Sequence, residues 1–285
     1  VIRENVLGVL SLVFWTLILV VVVKYLTFVM RADNQGEGGI MALLTLLLSR
    51  MDPQKGPRKY VIVFGLFGSS LLLSDGMITP AITVLSAIEG LEVVTPMFRP
   101  VVVPVTLFIL FLLFLVQKRG TADIGAVFGP TMFLWFATIG ILGFYWVWKE
   151  PRVLAAVNPC YAAFFFLQNQ WHGFLVLGAV VLCITGCEAL STDMGHFGAG
   201  PIRRAWYAVV FPGLLMNYFG QGALILDRGA AAAANPFFML SPSWMLYPLV
   251  CIATAASIIA SQSMISGAFS LAQQAMHLGY SPRWT

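Results

Sequence analysis

Charge is what this sequence has least of. Lys, Arg, Asp and Glu together make up 10% of its 285 residues, where a soluble domain carries about 25%. An ordinary water-soluble enzyme or binding module is thereby disfavoured from the outset. Cysteine and histidine are also sparse, at four and three. Of the cysteines, Cys160 alone falls in a connection, which excludes an external disulfide framework among them. Cys183 and Cys187 stand one turn apart inside an apolar run and read as small packing residues. His172, His196 and His277 are scattered and form no HExxH or other metal-ligand spacing. No nucleophile–base set suggests an enzyme, and no TVGYG-like stretch suggests a channel filter. No basic stripe marks a nucleic-acid surface. The longest connection is about thirty residues, too small for the extramembrane domain usual in a receptor.

What is abundant is apolar sequence: 59% hydrophobic residues, with a mean hydropathy of +0.88. Seven runs approach the roughly 20 residues that a membrane span requires. They lie at 6–29, 60–89, 101–117, 124–148, 173–192, 205–226 and 245–276. In lipid these are helices, because a barrel would show short alternating strands. The fold class expected is an all-α polytopic membrane protein, with residues 1–285 forming a single membrane domain. Lys24 lies near the end of the first run, where its stem can snorkel towards the headgroups.

Arg31, Arg50, Lys55, Arg58, Lys59, Lys118, Arg119, Arg203, Arg204 and Arg283 fall on one side of this topology. Arg3, Arg99, Lys149, Arg152 and Arg228 fall on the other. The richer side is assigned as cytoplasmic, so residue 1 is outside and residue 285 inside. An external start without a leader implies at least one further helix upstream. The connection 31–59 is then a cytoplasmic loop. Its apolar stretch 40–48 is too short to span and reads as an interfacial helix. Residues 91–104, 149–172 and 230–235 become external connections, and Phe144, Tyr145, Trp146 and Trp148 read as an aromatic belt at the outer surface.

Carboxylates inside the spans carry the functional signal. A charge at the bilayer centre costs roughly 2.5–3.5 kcal/mol on insertion scales, so Asp75 and Glu188 point to an ion path or a proton relay. Glu89 and Asp193 lie nearer the edges. Asp75, Thr79 and Thr83 repeat at i, i+4, i+8 and share one helix face. Pro80 leaves the Gly76 carbonyl without its helical donor. A carboxylate, two hydroxyls and a free carbonyl are oxygen ligands suited to a dehydrated alkali cation. Thr185 and Glu188 repeat the theme at i, i+3, with Gly186 permitting local unwinding. Ala253, Ser257, Ser261, Ser263 and Gly267 read as a close-packing seam on the last span.

At these residues the sequence resembles the KUP/HAK/KT family of potassium uptake permeases. The resemblance runs through RADNQGEGGIMALL (31–44), SDGMITPAITVLSAIEGLEVVTP (74–96), TGCEALSTDMGHFGAGPIRRAW (185–206) and NYFGQGALIL (217–226). It continues through NPFFMLSP and ASQSMISGAFSLAQQAMHLGYSPR (235–242 and 260–283). It departs from the family pattern at Ser74, Cys187 and Ser191. The likeness implies an amino acid–polyamine–organocation superfamily fold with inverted repeats, like the leucine transporter. The seven spans would be its second to eighth helices, in a fragment lacking the first helix and the C-terminal part. It implies potassium ligation by Asp75, Thr79, Thr83, Thr185 and Glu188. Glu188, Asp75 and Glu89 are the proton-coupling candidates. The implied activity is potassium–proton symport at a bacterial inner membrane, with no cofactor and a homodimer as a possible assembly. The alternative is transport of an amino acid or other organic cation by the same superfamily.

Overall fold

The computed structural model describes residues 2–31, 38–51, 58–117, 125–191, 194 and 198–282. Every regular element among them is helical. Among the described residues six helices are long and apolar enough to cross a membrane. These are α1 (Arg3–Arg31), α3 (Arg58–Val94), α5 (Gly125–Lys149), α6 (Cys160–Leu182), α7 (Ala199–Arg228) and α8 (Leu246–His277). Two shorter apolar helices accompany them, α2 (Ile40–Arg50) and α4 (Arg99–Gln117). The chain is a multi-pass membrane protein.

The expected run at 101–117 forms α4, within two residues of its expected bounds. Its 19 residues, Arg99–Gln117, rise about 28 Å, close to a hydrocarbon core of about 30 Å. Its start at Arg99 also takes 99–104 out of the expected external loop. The expected span at 173–192 moves further. Helix α6 begins at Cys160, inside what reads as an external loop, breaks at Gln170, where φ is +42°, and ends at Leu182. Residues 183–188 form successive turns instead of helix. The polar stretch Gln168-Asn169-Gln170 interrupts the apolar run and hides the helix in the sequence. In the fold, Asn169 Nδ2 donates to Asn5 Oδ1 at 3.0 Å and to the Phe165 carbonyl at 2.9 Å.

The helices pack in pairs: α1 on α6, α3 on α8 and α5 on α7. The α5–α7 contact is made by backbone. A side chain on Gly220 would collide with the Gly143 backbone, and one on Gly143 with the Met216 carbonyl. Around this contact lies a core of Leu7, Leu142, Trp146, Phe219, Leu224 and Leu249. Trp146 is therefore not part of an outer belt. It is 4% exposed and donates Nε1–H to the Leu240 carbonyl at 3.0 Å. The Lys149 ammonium lies 4.7 Å from its ring centroid and the Arg228 guanidinium 5.0 Å. Phe144, Tyr145 and Trp148 do stand exposed.

Helix α3 is inverted relative to a soluble amphipathic helix. Phe64, Phe67, Leu71, Ile78 and Ile82 point outward and are more than half exposed. Ser69 is buried and Asp75, Thr79 and Thr83 are half-buried, whereas Ser70 and Ser74 are exposed and bond back to their own helix. The seam on α8 is narrower than expected. Ser261 donates to the Pro80 carbonyl at 3.5 Å, and Ala268 faces Gly76. Ser263 is exposed, and nothing lies within 4 Å of a side chain placed on Gly267.

Candidate cation site

Asp75 sits midway along α3, between Gly68 and Pro80, and its two oxygens have different surroundings. Oδ1 accepts a hydrogen bond of 2.7 Å from Thr79 Oγ1, one turn on. Oδ2 is buried and has no donor among the described residues. An unpaired buried carboxylate oxygen costs several kcal/mol unless a proton or a cation meets it.

Glu188 arrives from the other side. After Leu182 the chain leaves α-helical geometry, and its backbone amides bond three residues back, as in Cys183 to Val180, Thr185 to Leu182 and Cys187 to Ile184. Gly186 adopts φ +90°, a conformation that glycine alone reaches without strain. Its free N–H donates to Glu188 Oε1 at 3.2 Å. Ser191 Oγ donates to the Glu188 carbonyl at 2.7 Å. The local unwinding expected at Gly186 is present, and it aims the Glu188 carboxyl at Asp75.

The two carboxyl groups are close enough to interact directly. They line one cavity of about 440 Å³ together with Lys24, Tyr25 and Ser191, against the apolar wall of Ile40, Leu43, Leu71 and Leu72. Two carboxylates meeting in a low-dielectric setting cannot both stay charged without a positive partner between them. With the Lys24 ammonium on the same wall, the pair is chemically suited to take up a cation or a proton. Among the described residues no cluster of three or more His, Cys, Asp and Glu side chains suited to a tighter metal site occurs.

The remaining expected residues are distributed elsewhere. Thr83 lies about 12 Å from Asp75 along the α3 axis and donates to the Thr79 carbonyl at 2.7 Å. It lines a second cavity, of about 470 Å³, with Glu89, Ser86, Asn217, Tyr218 and Ser257. Asn217 Oδ1 is buried in that wall with no partner among the described residues. Tyr218 links the two regions, because its hydroxyl donates to the Cys183 carbonyl at 3.4 Å. Thr185 lines neither cavity, and its hydroxyl bonds back to Val181 at 3.4 Å. Asp193 and His196 lie outside the described residues.

Sequence reasoning missed the place of Lys24. It does not merely snorkel: it shares a cavity wall with both carboxyls. Its signal was present as a lone cation five residues inside the end of an apolar run. Tyr218 and Asn217 offered a weaker one, as polar groups within NYFGQGALIL.

The whole chain, residues 1–285, matches the family model described as the K+ potassium transporter integral membrane domain. Among curated proteins it is 59% identical over 281 residues to a probable potassium transport system protein Kup of Myxococcus xanthus, covering 98% of this chain and 43% of that protein. It is 58% identical over 280 residues to the probable Kup 1 protein of Geobacter sulfurreducens, covering 98% and 44%. A probable Kup 3 protein of Dechloromonas aromatica is 56% identical over 280 residues, covering 98% and 45%. The chain thus spans less than half the length of these relatives. No solved structure matches.

Proposed function

The chain belongs to the family of K+ potassium transporters, and from that premise we propose that it supplies the cation site of a secondary potassium–proton symporter. The observation that carries this reading is the meeting of Asp75 and Glu188 in one cavity within apolar helices. Potassium is held by the Asp75 and Glu188 carboxylates and the Thr79 hydroxyl, with Thr83 and Thr185 entering as the helices rearrange. One of the same carboxyls, or Glu89, carries the proton. A pair that demands one positive charge can accept either a proton or an alkali ion, which is the minimum chemistry for coupling the two. Carboxylate and hydroxyl oxygens replace part of the ion's hydration shell.

The access route follows the two cavities. One holds Asp75 and Glu188, the other Thr83 and Glu89, and they are separated along α3 by Thr79 and Pro80. Alternating exposure of the carboxyl pair to these cavities would move the ion across, in the manner of a superfamily fold with inverted repeats and a broken helix. The setting is the inner membrane of a bacterium, with residue 1 outside and residue 285 inside. The alternative of an organic substrate gains no support from the relatives, all named for potassium transport.

Rubidium uptake by the complete protein, in cells lacking their own potassium systems, tests this. Uptake should be saturable and stronger at mildly acidic than at mildly alkaline external pH. Uptake without any pH dependence would remove the proton from the proposal. Absence of uptake would remove potassium.

A further inference from the structure

Lys24 stands in an unusual stretch of backbone. From Leu17 to Phe28 the helix α1 is wound as a π-helix, a rare geometry that occurs mostly as short bulges, frequently at functional sites. Thr27 Oγ1 follows the wider winding, donating to the carbonyl five residues back, Val22, at 2.9 Å. On this stretch the exposed Lys24 and the half-buried Tyr25 line the cavity that holds Asp75 and Glu188.

Lys24 makes no ion pair with a described residue. Its ammonium lies 5.0 Å from the ring centroid of Tyr25, also on the cavity wall. Cys187, the neighbour of Glu188, lies within its field. It is the only Lys or Arg among the described residues lining this cavity. A charge count frames its role. Two carboxylates and one ammonium leave a single negative charge, which one alkali ion or one proton cancels. Without the ammonium, the site would retain a net negative charge after binding one ion and hold it more tightly.

We infer that Lys24 is a tethered counter-cation, which moves from Tyr25 onto the Asp75–Glu188 pair when the transported cation leaves. This rests on the reading of that pair as the cation site. An ammonium presents a single positive charge of compact size on a flexible stem. It can take the place of a departing alkali ion without bringing a new ion from solution. Its competition sets a ceiling on affinity and hastens release, because the emptied pair is never left without a positive partner.

The test is rubidium uptake kinetics in the complete protein, comparing Lys24 with Lys24→Met and Lys24→Arg at equal amounts in the membrane. Methionine keeps the length and removes the charge, so KM should fall at least fivefold while the maximal rate also falls. Arginine keeps the charge, so KM should stay within about twofold of the original. A lysine that serves only to anchor the helix at the headgroups would raise KM or leave it unchanged in the Met variant, and either result overturns the inference. If Lys24→Met does not reach the membrane, Lys24→Gln takes its place with the same expected direction. Failure of the unmodified protein to take up rubidium would instead overturn the cation site itself, and this inference with it.

Discussion

The Thr79 hydroxyl donates to Oδ1 of Asp75 at 2.7 Å and leaves Oδ2 as the oxygen that faces its surroundings without a donor. The bond orients the carboxylate, so that one oxygen is spent on the helix and the other is held ready. Thr79→Val keeps the shape and removes that donor. Losing a hydrogen bond to a charged group amounts to about 1.5–3 kcal/mol, so the KM for rubidium should rise roughly tenfold or more. Thr79→Ser should stay close to the original. Equal KM values for valine and serine would show that the hydroxyl does not position the carboxylate.

Asp75→Asn and Glu188→Gln each remove one negative charge from the shared cavity. Asp75→Asn should abolish rubidium uptake while the protein still reaches the membrane. Glu188→Gln should also abolish it, or leave a slow uptake that no longer responds to external pH. Normal uptake by Asp75→Asn would take that residue out of the site.

Gly186 holds φ +90° and offers its N–H to Glu188 at 3.2 Å. A Cβ there has room, since the nearest heavy atom, Met264 Sδ, would lie 3.7 Å away. The strain of Gly186→Ala is therefore conformational, on the order of 1–2 kcal/mol. Uptake rate should fall several-fold, with thermal stability lowered only slightly. A large loss of stability with an unchanged rate per folded molecule would assign Gly186 to packing alone.

Gly143 behaves differently, because it abuts the Met216 carbonyl and the Gly220 backbone. Gly143→Ala forces α5 and α7 apart and should cost about 1–3 kcal/mol, as overpacking does. A thermal melt of the purified protein in detergent reads this directly. An unchanged melting temperature would mean that the two helices separate freely.

Trp146→Phe removes the 3.0 Å hydrogen bond to the Leu240 carbonyl and keeps most of the apolar volume. About 1 kcal/mol of stability should go with it, and the exposed neighbour Trp148 offers a control, since Trp148→Phe should change little. The same melt distinguishes them.

Much of this was legible because lipid imposes a simple rule on composition. Long, nearly uncharged runs located α1, α3, α4, α5, α7 and α8, and isolated carboxyls within them stood out. Helix α6 was displaced because Asn169 looks like loop sequence until its partner Asn5, more than 160 residues away, is known. Trp146 was misplaced for a similar reason: its aromatic neighbours Phe144, Tyr145 and Trp148 face outward, and its own partner Leu240 lies on a distant turn. Along one helix the spacing of Asp75 and Thr79 is readable, whereas the encounter of Asp75 with Glu188 and Lys24 depends on three separate elements. The π winding over Leu17–Phe28, on which Lys24 lies, has no pattern a 3.6-residue period would reveal.

The turn at Gly186 has a further consequence. Glu188 lies two residues beyond a backbone position that tolerates large torsional change, and its carboxyl is tethered by one amide of that same turn. A twist at this single residue would carry the carboxyl away from Asp75 while α6 and α8 stay where they are.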